Sequence, residues 1–192
     1  MPYSAVRADD PIPGMRGPNG VGPFSGQNRN PVPMRGKATP ATVAAGRTKT
    51  TYTLHRYECA PDNHSYGADA ADALGIPHHH VFKTLITEVD GVITVGVLPV
   101  STTLDLKALA AAVGGKKAVM ADTTRAEKIT GYVRGGISPL GQRKRLRTVI
   151  DSSVTTLMSV YVSAGQQGLQ MELRPRDLIN LTEAVTAPIG TP

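Results

Sequence analysis

Three stretches of this 192-residue chain carry residues whose types and order could do chemistry. In the β-rich run Val81-Phe-Lys-Thr-Leu-Ile-Thr-Glu-Val89, alternate side chains share a face. Val81, Lys83, Leu85, Thr87 and Val89 form one row, and Phe82, Thr84, Ile86 and Glu88 the other. Lys83 therefore stands among apolar neighbours. One reading is a lysine that snorkels to the sheet edge. The other is an ammonium held at a cleft, where partial desolvation strengthens its interaction with an anion or a polarised carbonyl. In the second stretch, Gly135-Gly136-Ile137-Ser138-Pro139-Leu140-Gly141-Gln142, backbone N–H groups can be offered to a bound carbonyl or phosphate, because glycine permits close approach and positive φ. A plain connecting loop has the same composition. The third stretch, Arg143-Lys144-Arg145, follows at once and reads either as a solvated face or as a phosphate contact.

Other residues suggest chemistry that their spacing does not support. His78-His79-His80 cannot all face one ion from a helix or a strand, and no Cys or acidic ligand cluster lies nearby, so no metal site is expected. Cys59 could serve as a nucleophile with His55 or His64 as base, but a lone cysteine beside histidines is a weak pattern. Asp151 and Ser152-Ser153 lack the Gly-x-Ser-x-Gly elbow of a serine hydrolase.

The elements that must position these residues are legible from about residue 50. Tyr52 to Tyr57 has strand composition, and Ser65 to Leu74 reads as a short helix closed by Gly75. Val81 to Glu88 and Val92 to Leu98 are two strands joined at Val89-Asp90-Gly91, a tight hairpin turn. Leu106, Leu109, Ala110 and Val113 recur at helical spacing before Gly114-Gly115. Ala118 to Met120 is a brief strand, and Asp122 caps a short helix that Gly131 ends. Strands follow near Thr148 to Ile150, Ser159 to Ser163 and Leu169 to Leu173, and Pro175 opens a last helix through about Ala184. Hairpins mixed with short helices predict an α/β (mixed α+β) fold, a mostly antiparallel or mixed central sheet with flanking short helices, rather than a βαβ repeat.

Residues 1–40 hold eight Pro and six Gly with no helical or strand period, and are expected to form a disordered tail, either a basic arm that touches RNA or a dispensable extension. Residues 41–190 form the expected domain, which at about 150 residues would bury roughly 70% of its unfolded surface. With 4% aromatics and no Trp, its core must be aliphatic. One cysteine excludes an intrachain disulfide and a Cys-rich zinc site, and no signal-peptide or 18-residue apolar run is present. A soluble, cytoplasmic protein is expected. The formal charge of +6 is concentrated: residues 116–147 hold nine Lys and Arg against two acids, as a surface for a polyanion would.

From about Thr39 to Ala184 the chain resembles the YbaK/EbsC type of aminoacyl-tRNA deacylases, related to the editing domain of bacterial prolyl-tRNA synthetases. The resemblance is carried by His55-Arg-Tyr57-Glu58, Val81-Phe-Lys83-Thr-Leu85, Leu104-Asp-Leu-Lys107, Met120-Ala-Asp122, Thr130-Gly-Tyr132, Gly135 to Gln142, Lys144-Arg-Leu146 and Tyr161-Val-Ser163, in order. It implies a pocket for the aminoacylated 3′ end of tRNA, with Lys83 as the essential lysine, Tyr57 as a pocket tyrosine, and Gly135 with Pro139 as a Gly-x-x-x-Pro loop. It further implies hydrolysis of cysteinyl-tRNA(Pro) without metal or organic cofactor, the substrate's own thiol attacking its ester. Lys83 and Gly135 are then the expected catalytic residues, Tyr57, Gly136, Ile137, Ser138, Pro139 and Gln170 the expected substrate contacts, and Arg143, Lys144 and Arg145 the expected tRNA contacts. Prolyl-tRNA synthetase is a candidate partner. Gly168-Leu169-Gln170 departs from the Gly-Leu-Asp of close relatives, and Ser163-Ala-Gly165 from Ser-Gly-Gly. Gln170 can hydrogen-bond an α-amino group but supplies no countercharge. A deacylase of another ester, such as alanyl-tRNA, and a non-catalytic module that binds tRNA or a synthetase are the alternatives.

Overall fold

The computed structural model describes residues 38–58 and 66–192; Cys59 and His64, and nearly all of the stretch expected to be a tail, lie outside them. The first element, helix α1 (Pro40–Arg47), starts at a capping box between Thr39 and Thr42, with Pro in its first turn. Nothing in the sequence reading anticipated it. Its buried face is only Ala41 and Ala45, one helical turn apart, and two alanines leave little hydrophobic signal.

Strand β1 (Tyr52–Arg56) and helix α2 (Tyr66–Leu74) follow, and a short 3₁₀ turn at His78–His80 leads into β2 (Val81–Val89). β2 and β3 (Val92–Pro99) form the expected hairpin, with Asp90 (φ 48°) and Gly91 (φ 81°) both left-handed at its turn. The Asp90 carboxylate also accepts the N–H groups of Lys116 (2.7 Å) and Lys117 (3.0 Å), which brings the next strand beside β2. After β4 (Thr103–Leu104) come α3 (Leu106–Ala112), capped by Asp105, and β5 (Ala118–Met120). Helix α4 (Thr123–Thr130) is capped by Asp122 and stopped by left-handed Gly131, as the sequence predicts. The remaining elements are β6 (Arg147–Asp151), a 3₁₀ turn (Ser152–Thr156), β7 (Val160–Gln166), β8 (Leu169–Leu173), α5 (Pro175–Thr182), β9 (Val185–Ala187) and β10 (Gly190–Thr191).

The central sheet runs β1-β8-β7-β2-β3-β6-β9, with β5 also paired to β2. It is mixed: β2 lies parallel to β7, β3 to β6 and β6 to β9, and the other pairs in it are antiparallel. The mixed sheet with short flanking helices is the predicted architecture. Its two faces build separate aliphatic clusters, which is why both rows of β2 read as apolar. Phe82, Ile86, Val97, Ile150, Val162 and Met171 pack on one side, and Val89, Leu98, Leu109, Val149 and Ile189 on the other. Each fully buried Leu, Ile or Met contributes about 1.5–3 kcal/mol relative to exposure, so the sheet is held from both sides. No helix among the described residues is long and apolar enough to cross a membrane.

Candidate active site

β2 does not keep one neighbour along its outer edge. It pairs with β7 at Val81 and Phe82 and with β5 at Thr87 to Val89. Between those ladders the sheet has a gap, closed in part where the Ile86 carbonyl accepts the Ala121 N–H (3.0 Å). A cavity of about 490 Å³ opens there, bordered by residues from both faces of β2.

Lys83 stands at this gap with its Nζ donating to the backbone carbonyl of Thr102. Burial pushes its pKa below the ordinary lysine value, because the charged form loses hydration. The helix wall can approach so closely because residue 67 is glycine: a Cβ there would meet Val100 Cγ1 at 2.5 Å and Lys83 Cβ at 3.9 Å. Register adds two polar side chains. Gln170 pairs with Ser163 across β8 and β7, and Ser163 is one step along from the Phe82–Val162 pair, level with Lys83. Lys83, Ser163 and Gln170 thus share one face and all border the cavity.

The glycine loop forms the opposite wall. Gly135 has φ 80°, and a Cβ there would lie 2.8 Å from the Tyr66 ring and 2.7 Å from Gln167 Nε2, so only glycine fits without displacement. The Gly136 N–H is committed to the Val133 carbonyl (2.9 Å), and its carbonyl accepts the Ser163 hydroxyl (3.0 Å). The loop is fixed from behind by the buried Tyr132, whose hydroxyl donates to the Leu140 carbonyl (2.6 Å), and by Ser138, which accepts the Leu140 N–H (3.2 Å). Burial raises the Tyr132 pKa to about 12, so its hydroxyl stays a donor.

Among the described residues, two buried side-chain polar atoms have no hydrogen-bond partner: Thr84 Oγ1 and Gln170 Oε1. Both residues line the cavity, and Gln170 is 5% exposed. A buried polar atom left unpaired costs about 1–3 kcal/mol, so a hydroxyl and an amide oxygen unpaired at one cavity make it a place where a ligand can supply hydrogen bonds.

The expected site residues divide. Lys83, Gly135, Ile137 and Gln170 border the cavity together. Gly136 backs it through Ser163, and Ser138 is fully buried behind the loop. Tyr57 extends β1 through a hydrogen bond from its N–H to the Gly168 carbonyl (3.1 Å) and is not among the lining residues. Pro139, Lys144 and Arg145 border a separate, smaller groove of about 170 Å³. There Arg145 pairs with Glu183 (2.6 Å), while Arg143 donates to the Lys128 carbonyl (3.2 Å) beside Gly131. Reasoning from sequence missed Thr84, Ser163, Tyr66 and Arg134 at the cavity. Arg134 was visible only as one charge in a basic segment. Thr84 was visible in the alternation as a polar residue between Phe82 and Ile86.

The residues set aside on spacing have structural work. His55 pairs with Glu172 (2.8 Å), and His78 with Asp72 (2.7 Å). Asp151 accepts three backbone N–H groups, from Ser153, Ile189 and Gly190. No group of three or more potential metal ligands occurs among the described residues.

The model of the aminoacyl-tRNA editing domain matches residues 60–181. The chain belongs to that family. Its class of activity is accordingly the editing of aminoacyl-tRNA by deacylation. It is 39% identical over 145 residues to EbsC of Enterococcus faecalis, named for Cys-tRNA(Pro)/Cys-tRNA(Cys) deacylation, covering 74% of this chain and 87% of that protein. Two solved structures share the fold: a hypothetical protein, APE2540 (TM-score 0.72, 24% identity, 80% of this chain and all of that one), and a protein described as a trans-editing enzyme for prolyl tRNA synthetase (TM-score 0.67, 20% identity, 79% and 93%).

Proposed function

We propose that this editing domain hydrolyses cysteinyl-tRNA(Pro) in trans, at the cavity beside Lys83. The observation that carries the reading is a partly desolvated ammonium facing a glycine-loop wall across a space with two unpartnered buried acceptors. An aminoacyl ester of a terminal adenosine brings what that space lacks: N–H and O–H donors for the acceptors, and a carbonyl on which charge develops. Lys83 orients the ribose or the ester, and the N–H groups of Gly135 and Ile137 receive the developing oxyanion. Gln170 accepts from the α-amino group, and Gly136 and Ser138 support the loop wall from behind, whereas Tyr57 and Pro139 lie outside the cavity lining. The Ser163 hydroxyl is committed to the Gly136 carbonyl, which argues for a nucleophile carried by the substrate. In a cysteinyl ester the thiol sulfur bonds to the ester carbon, the bond to the ribose oxygen breaks, and that oxygen leaves with the proton the thiol gave up; water then opens the resulting thiolactone to free cysteine, restoring the thiol.

Arg143, Lys144 and Arg145 hold tRNA phosphates outside the cavity, joined by Arg134 at its mouth. Residues 41–190 are the catalytic domain, working in the cytoplasm, and prolyl-tRNA synthetase is the partner that presents the tRNA. The likeness of fold to a trans-editing enzyme described for that synthetase supports this last step. The test is deacylation of cysteinyl-, alanyl- and prolyl-tRNA(Pro) by the purified protein. The cysteinyl ester is expected to be cleaved fastest. Preference for the alanyl ester would reassign the substrate, and tRNA binding without turnover on all three would leave a binding module in place of the enzyme.

A further inference from the structure

The ammonium of Lys83 is held from the far end of the chain. Its acceptor is the carbonyl of Thr102, in the loop between β3 and β4. That loop is closed from within by the Thr102 N–H (3.1 Å) and hydroxyl (3.0 Å), both donating to the Pro99 carbonyl. From outside it is pressed by the strap at residues 189–191. Gly190 pairs with Leu104 and Thr191 with Thr103. The backbone at Gly190 lies so near that a Cβ would reach 2.7 Å from Thr102 Oγ1 and 3.2 Å from Thr102 Cβ. The strap is in turn fixed at three points. Ile189 is fully buried in the cluster with Leu98 and Leu109, and its carbonyl accepts the Asp105 N–H (2.8 Å). Asp151 Oδ2 accepts the N–H groups of Ile189 (2.9 Å) and Gly190 (2.8 Å). Burial alone would raise the Asp151 pKa, but the donors from Ser153, Gly190 and Ile189 outweigh it and hold the carboxyl below its ordinary value, so the anchor stays charged at neutral pH.

We propose that Asp151 and the Gly190 strap are positioning elements for Lys83: the strap sets the Thr102 carbonyl, and the carbonyl sets where the ammonium points into the cavity. The inference rests on the role given to Lys83 above, and its physical content is contiguity. Asp151 touches Gly190, Gly190 abuts Thr102, and Thr102 holds Lys83. A carbonyl displaced by a few tenths of an ångström at the strap moves the head of a long, flexible side chain, and placement of a charge against a reacting ester is the quantity to which rate is most sensitive. Removing the acceptor also removes the hydrogen bond that favours the charged form of a lysine already short of hydration.

The test uses the full chain and a substitution that touches neither Lys83 nor Asp151 covalently. Gly190→Ala has no positive φ to strain the backbone, so its effect is the push on Thr102 and a weaker one on Asp151 Oδ2, which a Cβ would approach to 3.3 Å. Two readouts are taken. One is the pH midpoint of Lys83 itself, followed by lysine modification and peptide mass spectrometry. The other is turnover of cysteinyl-tRNA(Pro). Gly190→Ala is expected to lower the Lys83 midpoint, and to lower kcat by about 10-fold or more with KM within about twofold. Adding Thr102→Ala, which removes the closest atom in the collision and keeps the carbonyl, is expected to return both toward wild type. Asp151→Asn, which keeps the shape and discharges the anchor, is expected to move both readouts in the same direction as Gly190→Ala. A folded Gly190→Ala or Asp151→Asn protein with an unchanged Lys83 midpoint and unchanged kcat would overturn the proposal. If the wild-type protein cleaves no aminoacyl ester, the functional reading fails, and the Lys83 midpoint still decides the strap.

Discussion

Two depressions among the described residues hold cations in opposite circumstances. At the gap beside β2, Lys83 and Arg134 border a cavity of about 490 Å³ whose wall also carries two buried side-chain oxygens without partners. At the groove of about 170 Å³, Arg145 is 67% exposed at the side chain and already paired with Glu183, itself 61% exposed. Charge density along the chain points to the groove, since Arg143-Lys144-Arg145 is the most basic run in the sequence. Desolvation and unmet hydrogen bonds point to the cavity. An exposed, screened ion pair contributes little, whereas a partly buried ammonium acts through a medium of lower dielectric. The difference separates a surface that can attract tRNA from a place that can act on its ester.

Substitutions can break that comparison, and the largest effect is expected at Lys83. Lys83→Ala should lower kcat/KM on cysteinyl-tRNA(Pro) by about 10²–10³-fold. Its thermal midpoint should not fall, because the change removes an ammonium that burial disfavours. Next is Gly135→Ala, which forces a side chain into φ 80° and against the Tyr66 ring. A left-handed non-glycine costs about 1–2 kcal/mol, so a Tm several degrees lower is expected together with a kcat loss of about tenfold. Gln170→Leu should split the two readouts. It deletes an unpartnered buried amide oxygen, so stability is expected to hold or to rise by about 1 kcal/mol while KM increases. Arg145→Ala is the smallest: less than about 1 kcal/mol in stability, and a tRNA affinity change that fades as salt is raised. An Arg145→Ala loss equal to that of Lys83→Ala would erase the distinction between the two places.

Local signals in the sequence carried much of this. The Asp90-Gly91 turn, the Asp122 cap and the Gly131 stop each depend on residues within one turn of one another, and each forms as expected. Lys83 stood out because an alternating pattern needs only its own strand. The residues that were hidden depend on partners distant along the chain. Ser163 and Gln170 reach Lys83 only through the register of β8 on β7 and of β7, in parallel, beside β2. Pairing at that sequence separation leaves no local mark. Thr102 holds Lys83 through a backbone carbonyl, a group that every residue possesses and no sequence pattern distinguishes. The charge partner of the basic run was hidden for a similar reason: Glu183, which pairs with Arg145, is the left-handed residue after α5, far along the chain from the charges it meets.

If the cavity acts on the ester and the groove only holds tRNA, the two must separate at the chemical step. Single-turnover cleavage of cysteinyl-tRNA(Pro) at saturating enzyme isolates the chemical step from binding. Under those conditions Lys83→Ala should slow cleavage by about 100-fold or more, and the double variant Lys144→Ala/Arg145→Ala should stay within about twofold of wild type. A Lys83→Ala protein that cleaves at the wild-type rate, or a groove variant that loses as much as Lys83→Ala, would contradict that division of roles.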